Sequence, residues 1–176
     1  MPTKEVNDQK KIIDQKKLAM RQKLWPDISD AHLWTTRKGW LTVPRTLPLL
    51  MRIMDTLADT GKPVSPTYLD LWCRTYNDSF VIAAKPHEMA FYAGFSGQRA
   101  QNTWMGRIRQ LVDLGFILIS DGASGPAHYI LILNPYHVIR RHIEDGNIHR
   151  GFANALAERM IEIGADDLDV PSGQDQ

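Results

Sequence analysis

The stretch GFSGQRAQNTWMGRIRQLVDLGFILI, residues 94–119, decides the fold of this chain. When its residues are placed at 100° steps around a helix, one broad side is apolar and predicts a core contact. That apolar side contains Ala100, Trp104, Ile108, Leu111, Val112 and Leu114, with Met105 at its margin. Ser96 is a suitable N-cap and Gly115 a suitable stop. The sequence therefore predicts a helix over residues 96–114 that buries one side.

The opposite side of this helix is polar. It carries Gln98, Arg99, Asn102, Thr103, Gly106, Arg109 and Gln110, with Arg107 on the boundary. In the major groove of DNA, arginine can bind guanine through two hydrogen bonds, asparagine or glutamine can do the same for adenine, and threonine can reach phosphate. Gly106 lowers helix propensity by about 1 kcal/mol relative to alanine, which suggests close approach by another backbone. A soluble helix with an ordinary polar face is the alternative interpretation.

Two core helices are expected upstream. Thr46 can cap the first helix, which ends by Gly61. Its apolar side contains Leu47, Leu50, Met51, Met54, Leu57 and Ala58. Ser65 can cap the second helix, with Pro66 as its first residue. The residues expected to be buried in this second helix are Leu69, Trp72 and Cys73.

A short strand and a third helix follow. The run SFVIAA, residues 79–84, is β-branched and aromatic and favours an edge strand. Pro86 opens a helix that ends near Ala93, and Gly94 supplies the backbone freedom for a sharp turn.

Downstream of Gly115 the pattern predicts a β-hairpin and two closing helices. FILIS and HYILIL read as apolar strands joined by the loop DGASGPA. The closing helices occupy residues 134–164, and the acidic residues 165–176 are expected to be disordered. The predicted fold class is mainly α with a small β-hairpin.

Two segments precede the core helices. Residues 1–24 predict a basic helical arm, either a solvated face or an arm that contacts a DNA backbone or a second copy. Residues 25–45 contain Trp25, Trp34 and Trp40, and we expect this segment to pack on the domain because exposed tryptophan is costly. A partner-binding surface is the alternative for the tryptophan segment.

Composition and charge narrow the function classes. The chain has 176 residues, one cysteine and a net charge of +1. Neither a membrane span nor a secretory signal is evident in the sequence. We therefore expect a cytoplasmic protein with no membrane partner. The net charge conceals an asymmetry. Residues 158–176 hold six acids and one base, which leaves twenty bases and fourteen acids before them. A basic body with an acidic tail is common among proteins that bind polyanions.

The sequence lacks the motifs of a nucleophile elbow, a phosphate-binding loop and a metal site. GFSGQ has Gln98 where a nucleophile elbow requires glycine, and DGASGPA lacks the end of a phosphate-binding loop. His137 and His142 are five residues apart, a spacing that does not suit two metal ligands on one helix. We therefore expect no catalytic residues, no metal and no cofactor, and classify the chain as a non-enzyme.

The stretch EMAFYAGFSGQRAQNTWMGRIRQLVDLGFILI, residues 88–119, resembles the winged helix-turn-helix superfamily of DNA-binding domains, including domains of bacterial plasmid and phage replication or regulatory proteins. The resemblance rests on Ala90, the turn Gly94-Phe95, the cap Ser96, the apolar stripe and the LGFI passage into a hairpin. It covers residues 86–133 well and 46–133 loosely. It implies a winged-helix domain over 46–133 with additional N- and C-terminal helices.

On this resemblance, residues 96–114 would be the recognition helix and residues 116–133 the wing. The implied DNA-binding residues are Gln98, Arg99, Asn102, Thr103, Arg107 and Arg109. The wing departs from the family, because its tip offers Asp121 and His128 where arginine or lysine is common. Positive charge beside the helix would then come from Lys62, Lys85, Arg140, Arg141 or the N-terminal arm.

The sequence thus predicts a protein that binds double-stranded DNA, as a transcriptional regulator or a replication or maintenance factor. A homodimer through the terminal helices is a further expectation, since DNA readers commonly pair across half-sites. The alternative is a winged-helix protein–protein interaction module that does not bind DNA, and the neutral wing favours it.

Overall fold

A computed structural model describes residues 42–75 and 79–165, together with six helical positions between residues 12 and 24. The chain divides into two compact units, residues 1–40 and 41–176. Most of the basic arm, the tryptophans of the Trp-rich segment and the acidic tail from residue 166 lie outside the described residues. Their expected roles therefore stay predictions.

Residues 42–75 and 79–165 form six helices and a three-stranded sheet, which confirms a helix-rich chain with a small β-hairpin. The helices are α1 (Leu47–Leu57), α2 (Ser65–Arg74), α3 (Pro86–Tyr92), α4 (Ala100–Asp113), α5 (Pro135–Glu144) and α6 (Arg150–Ile163). The strands are β1 (Phe80–Ile82), β2 (Ile117–Gly122) and β3 (Gly125–Ile132). Of the helices in this part of the chain, none has the length and apolar character that a bilayer crossing requires.

The sheet is antiparallel, with strand order β1-β3-β2. Strand β3 lies in the middle, where Ile130 is opposite Val81 of β1 and Ile119 of β2. Strand β1 is the predicted edge strand. Side chains of alternating residues in each strand point to the same face, and the face containing Val81, Ile117 and Ile130 is buried in the core.

Helix α4 packs on α2, α3 and β2. Trp104, Ile108 and Leu111 are fully buried, as the apolar stripe predicts. The helix ends at Gly115, which has φ +81°. The Phe116 N–H donates to the Leu111 carbonyl at 2.9 Å and the Gly115 N–H to the Val112 carbonyl at 2.9 Å. This Schellman arrangement satisfies two otherwise unpaired carbonyls and turns the chain directly into β2.

Two of the three side chains predicted from sequence to cap helices, Thr46 and Ser65, make no capping hydrogen bond, although Thr46 does occupy the N-cap position of α1. Thr46 precedes α1, but its hydroxyl pairs with the Tyr136 hydroxyl at the start of α5. Ser65 is the first residue of α2, and its hydroxyl donates to Asp55 of α1 at 2.6 Å. Asp55 also accepts the N–H groups of Val64 and Ser65, each at 2.8 Å. A carboxylate from the preceding helix therefore caps α2, a contact that local sequence rules cannot anticipate.

The buried side of α2 also differs from the prediction. Tyr68 and Leu71 are fully buried together with Thr67, whereas Leu69 and Trp72 are half-buried and Cys73 is exposed. The Tyr68 ring packs against Trp72 and Phe116 at centroid distances of 5.8 and 6.1 Å. The helix is rotated so that Tyr68 is buried, which removes more apolar surface from water than burial of Cys73 would.

The two helices expected in residues 134–164 are present as α5 and α6. Asn134 caps α5 by accepting the Tyr136 N–H at 3.0 Å. Helix α6 buries Leu156 and Met160 and contacts α1, where Arg52 lies over the Phe152 ring at 5.4 Å. The C-terminal helices thus close the core on the side of α1.

The hairpin is tighter than the predicted seven-residue loop. Strands β2 and β3 extend to Gly122 and Gly125, so that only Ala123 and Ser124 remain between them. The Ser124 hydroxyl donates to the Ala83 carbonyl, and its N–H donates to His128 Nδ1 at 3.2 Å. His128 is therefore 8% exposed and is part of the hairpin, not an open group at its tip.

Gly122→Ala is expected to destabilise the fold. A Cβ at Gly122 would lie 2.7 Å from Cβ of the buried His128, and neither atom can move without shifting the hairpin. Overpacking of this kind costs about 1–3 kcal/mol of unfolding free energy, which urea denaturation measures. Gly106→Ala is the matched control, since a Cβ at Gly106 meets nothing within 4 Å and should stabilise α4 by up to about 1 kcal/mol. Equal stability of both variants would contradict the packing at Gly122.

Tyr68→Phe should reduce the loss of stability at alkaline pH. Burial raises the pKa of Tyr68 above the ordinary tyrosine value of about 10, so the unfolded chain ionises first. The contribution of Tyr68 to the unfolding free energy is fully present below pH 10. It is lost as the pH rises from there toward the pKa of the folded state. Within the described chain the Tyr68 hydroxyl has no hydrogen-bond partner, so the substitution should be neutral or slightly stabilising at pH 7. Urea denaturation at neutral pH and above pH 10 tests this, and an identical alkaline loss in both proteins would contradict it.

Candidate nucleic-acid interface

The turn between α3 and α4 sets the position of the candidate site. Gly94 has φ +89°, and the Phe95 N–H donates back to the Ala90 carbonyl at 2.9 Å. Phe95 is half-buried and packs against the core. This turn ends α3 sharply and directs the chain into α4.

Helix α4 begins at Ala100, four residues later than the predicted start at Ser96. Gly97 has φ +81°, which is outside the helical region, and the Ala100 N–H donates to its carbonyl at 3.1 Å. Arg99 occupies the N-cap position and makes no side-chain cap hydrogen bond. The predicted capping role of Ser96 is therefore wrong, and Gln98 and Arg99 project from a turn at the beginning of α4.

The structure brings four of the six predicted DNA-binding residues to the surface. Gln98, Arg99, Asn102 and Arg109 are exposed. Thr103 is half-buried, and its hydroxyl donates to the Arg99 carbonyl at 3.0 Å. Its proton is engaged within the helix, but its oxygen can still accept a hydrogen bond. The first turns of α4 therefore present cationic and amide groups on one open side.

Arg107 does not join this group. Its guanidinium lies over the Phe95 ring, 5.7 Å from the centroid, and its Nε is buried without a hydrogen-bond partner in the described chain. A cation over an aromatic face is an attractive contact. Arg107, which the helical pattern places on the boundary of the polar side, thus packs against the α3–α4 turn.

Gln110 is held by the loop between α1 and α2. Its amide accepts the Asp59 N–H and donates to the Asp59 carboxylate, both at 3.3 Å. The same carboxylate pairs with Lys62 at 2.9 Å. The sequence gives no signal for this link, because the partners are 51 residues apart. It places the exposed Lys62 ammonium beside one flank of α4.

The open side of α4 keeps its positive charge. In residues 42–75 and 79–165, neither Arg99 nor Arg109 forms an ion pair, and Asp113 is exposed in the last turn, away from Arg99. Lys85, a predicted source of charge, pairs with Glu88 at 3.3 Å. An anion approaching this side of α4 therefore meets Arg99 at its beginning and Arg109 in its third turn, and no described carboxylate forms an ion pair with either.

Gly106 lies in the middle of this side of α4. A Cβ built there meets no atom within 4 Å apart from its own helix backbone, and its φ is not in the left-handed region. Neither chain geometry nor packing among the described residues requires a glycine here. The helix consequently has an uncovered backbone surface between Asn102 and Arg109.

The hairpin contributes little charge. Asp121 is exposed near its end, and Ser124 and His128 are engaged with each other and with the loop after β1. Among the described residues, histidine, cysteine, aspartate and glutamate side chains form no group of three that could hold a metal ion. No family model, curated protein or solved structure matches this chain.

Arg107→Ala and Arg109→Ala should separate a packing arginine from a surface arginine. Loss of the cation–π contact with Phe95 should lower the unfolding free energy by about 0.5–1 kcal/mol for Arg107→Ala. Arg109→Ala should stay within about 0.5 kcal/mol of the wild-type chain, because its side chain is exposed and unpaired in the described structure. Urea denaturation compares the two, and a greater loss for Arg109→Ala would contradict these placements.

Proposed function

We propose that this chain binds double-stranded DNA through a winged helix-turn-helix domain over residues 46–133, which contains α1 to α4, β1 and the β2–β3 hairpin. Support comes from the order helix, helix, strand, helix, helix, hairpin, which agrees with the order expected from the resemblance. In this proposal α4 is the recognition helix. The chain acts as a transcriptional regulator or as a replication or maintenance factor.

The observation that carries the proposal is the exposed beginning of α4. Arg99 and Asn102 project from its first turns, where recognition helices contact base edges. Arginine pairs with guanine and asparagine with adenine through two hydrogen bonds each. Gln98 and Thr103 flank them with groups that suit phosphate or base contacts, and Arg109 extends the cationic side.

Gly106 supports a close approach of the DNA. Alanine would make α4 more stable, and nothing in the described chain excludes a Cβ at this position. A sugar–phosphate backbone or base edge lying against the helix would account for the missing side chain.

The hairpin favours a second candidate, a winged-helix module that binds another protein. Its two-residue turn has no basic side chain, and Asp121 beside it would repel phosphate. In the DNA-binding proposal the hairpin either packs on the domain without touching DNA or reaches phosphate through its backbone N–H groups. The two candidates therefore differ in whether the α4 side or another surface binds the partner.

A salt titration against duplex DNA tests the proposal. If about six phosphates are neutralised, log K should fall against log salt with a slope of about −5. Arg99→Ala or Asn102→Ala should each weaken binding by about 1–3 kcal/mol and relax sequence preference. Fluorescence anisotropy with random and genomic duplexes measures both effects.

Two further variants sharpen this test. Gly106→Ala should weaken binding although it stabilises the fold, a combination that a merely structural effect cannot produce. A chain lacking residues 1–24 separates the contribution of the basic arm from that of α4. Absent or salt-insensitive binding to every duplex, or wild-type affinity of both Arg99→Ala and Asn102→Ala, would contradict the proposal.

A further inference from the structure

The outer face of the three-stranded sheet is apolar. It is formed by two cross-strand rows, Phe80–Leu131–Leu118 and Ile82–Tyr129–Ser120. The five large side chains in these rows remain 38–58% exposed. The Phe80 and Tyr129 rings stack at 5.9 Å with an interplanar angle of 15°. These two rows thus consist of a stacked aromatic pair, three aliphatic side chains and one serine, and they contain no charged residue.

An apolar outer face is unusual for a small antiparallel sheet. Such sheets commonly pack one face on the core and place polar side chains on the solvated face. Here the strands are apolar on both faces, which is typical of strands that are covered on both sides. Contiguous apolar patches of this kind mark interaction surfaces more often than scattered apolar residues do.

The size of the face limits the kind of contact it can make. Since a large apolar side chain has on the order of 200 Å² of accessible surface, the exposed fractions correspond to roughly 450 Å². Two copies of the face would bury roughly 900 Å² together, below the 1,200–2,000 Å² of stable complexes and within the range of weak, transient ones. The area therefore suits an association that depends on protein concentration.

The charged residues around the sheet face indicate which kind of partner it can bind. A single strand of nucleic acid could stack on Phe80 and Tyr129, but it would also need free positive charge beside them. The cations that line the groove next to Ile82 are already paired, Arg74 with Asp70 at 2.8 Å and Lys85 with Glu88 at 3.3 Å. An uncharged apolar surface is the better complement, and a second copy of the same face provides one without charge repulsion.

We propose that this sheet face mediates a weak homodimer in which two copies pack face to face. Packed sheets lie about 10 Å apart with interdigitating side chains, and the small Ser120 at the end of one row leaves room for a large side chain of the partner. Strand addition at the edges is less suitable, because β1 has three residues and β2 is irregular between Ser120 and Gly122. The terminal helices, the dimer contact expected from sequence, are a poorer candidate, since in the described part of the chain α5 and α6 expose one large apolar side chain, Ile161.

Sedimentation equilibrium of the full chain without DNA tests this proposal independently of DNA binding. The mass should rise from 20.0 kDa toward twice that value between low-micromolar and near-millimolar concentration. Ile82→Lys and Leu118→Lys should each weaken dimerisation at least about tenfold, because an unpaired charge would be buried. Ile161→Lys is the matched control, an equally apolar side chain that is 81% exposed on α6 and should dimerise like the wild type.

Circular dichroism melting checks that each variant is folded. Leu118→Thr, whose β-branched polar side chain suits a strand, replaces any lysine variant that does not fold. A wild-type chain that stays monomeric throughout would overturn the proposal. If, in addition, the Ile82→Lys and Leu118→Lys variants were less stable than the wild type, the face would be covered by residues of its own chain. Dimerisation that survives both sheet substitutions, or that Ile161→Lys abolishes, would also overturn it. Binding of single-stranded DNA that Tyr129→Ala removes, with no dimer present, would assign the face to nucleic acid instead.

Discussion

The burial of Trp104, Ile108 and Leu111 is the constraint on which the rest of the structure depends. These side chains are fully buried, and they fix the rotation of α4 about its own axis. Because helical side chains three and four residues apart share a side, this rotation also determines which groups remain outside. Asn102 and Arg109 are exposed for that reason, so the packing of the core and the chemistry of the helix surface have one physical cause.

The two turns that flank α4 preserve this orientation. Gly94 and Gly115 each adopt a positive φ and end a helix through a Schellman arrangement. Phe95 and Phe116, the residues that follow, both turn back toward the core. Contacts from outside this region complete the support, since Gln110 is held by Asp59 and Arg107 lies over Phe95. Two of the polar side chains on α4 therefore stabilise the fold, whereas Asn102 and Arg109 are exposed.

The sheet gives the domain a second surface with a different chemistry. Its inner face completes the core, while its outer face presents aromatic and aliphatic side chains to solvent. The sequence contained a signal for this, because FILI and YILIL lack the polar alternation of a strand with one wet face. In the proposed function, the cationic side of α4 serves DNA and the sheet face serves a second copy, so the two surfaces need not compete.

By itself the sequence determined the order of the elements and the buried stripe of α4, because hydrophobic periodicity and glycine positions act through local geometry. It also identified which side of α4 would be polar. Only the tertiary structure decided which caps, rotations and side-chain pairs form. Asp55 displaces Ser65 as a cap, Tyr68 displaces Cys73 in the core, and Arg107 packs on Phe95, since each outcome depends on a residue that the fold, not the local sequence, brings into contact.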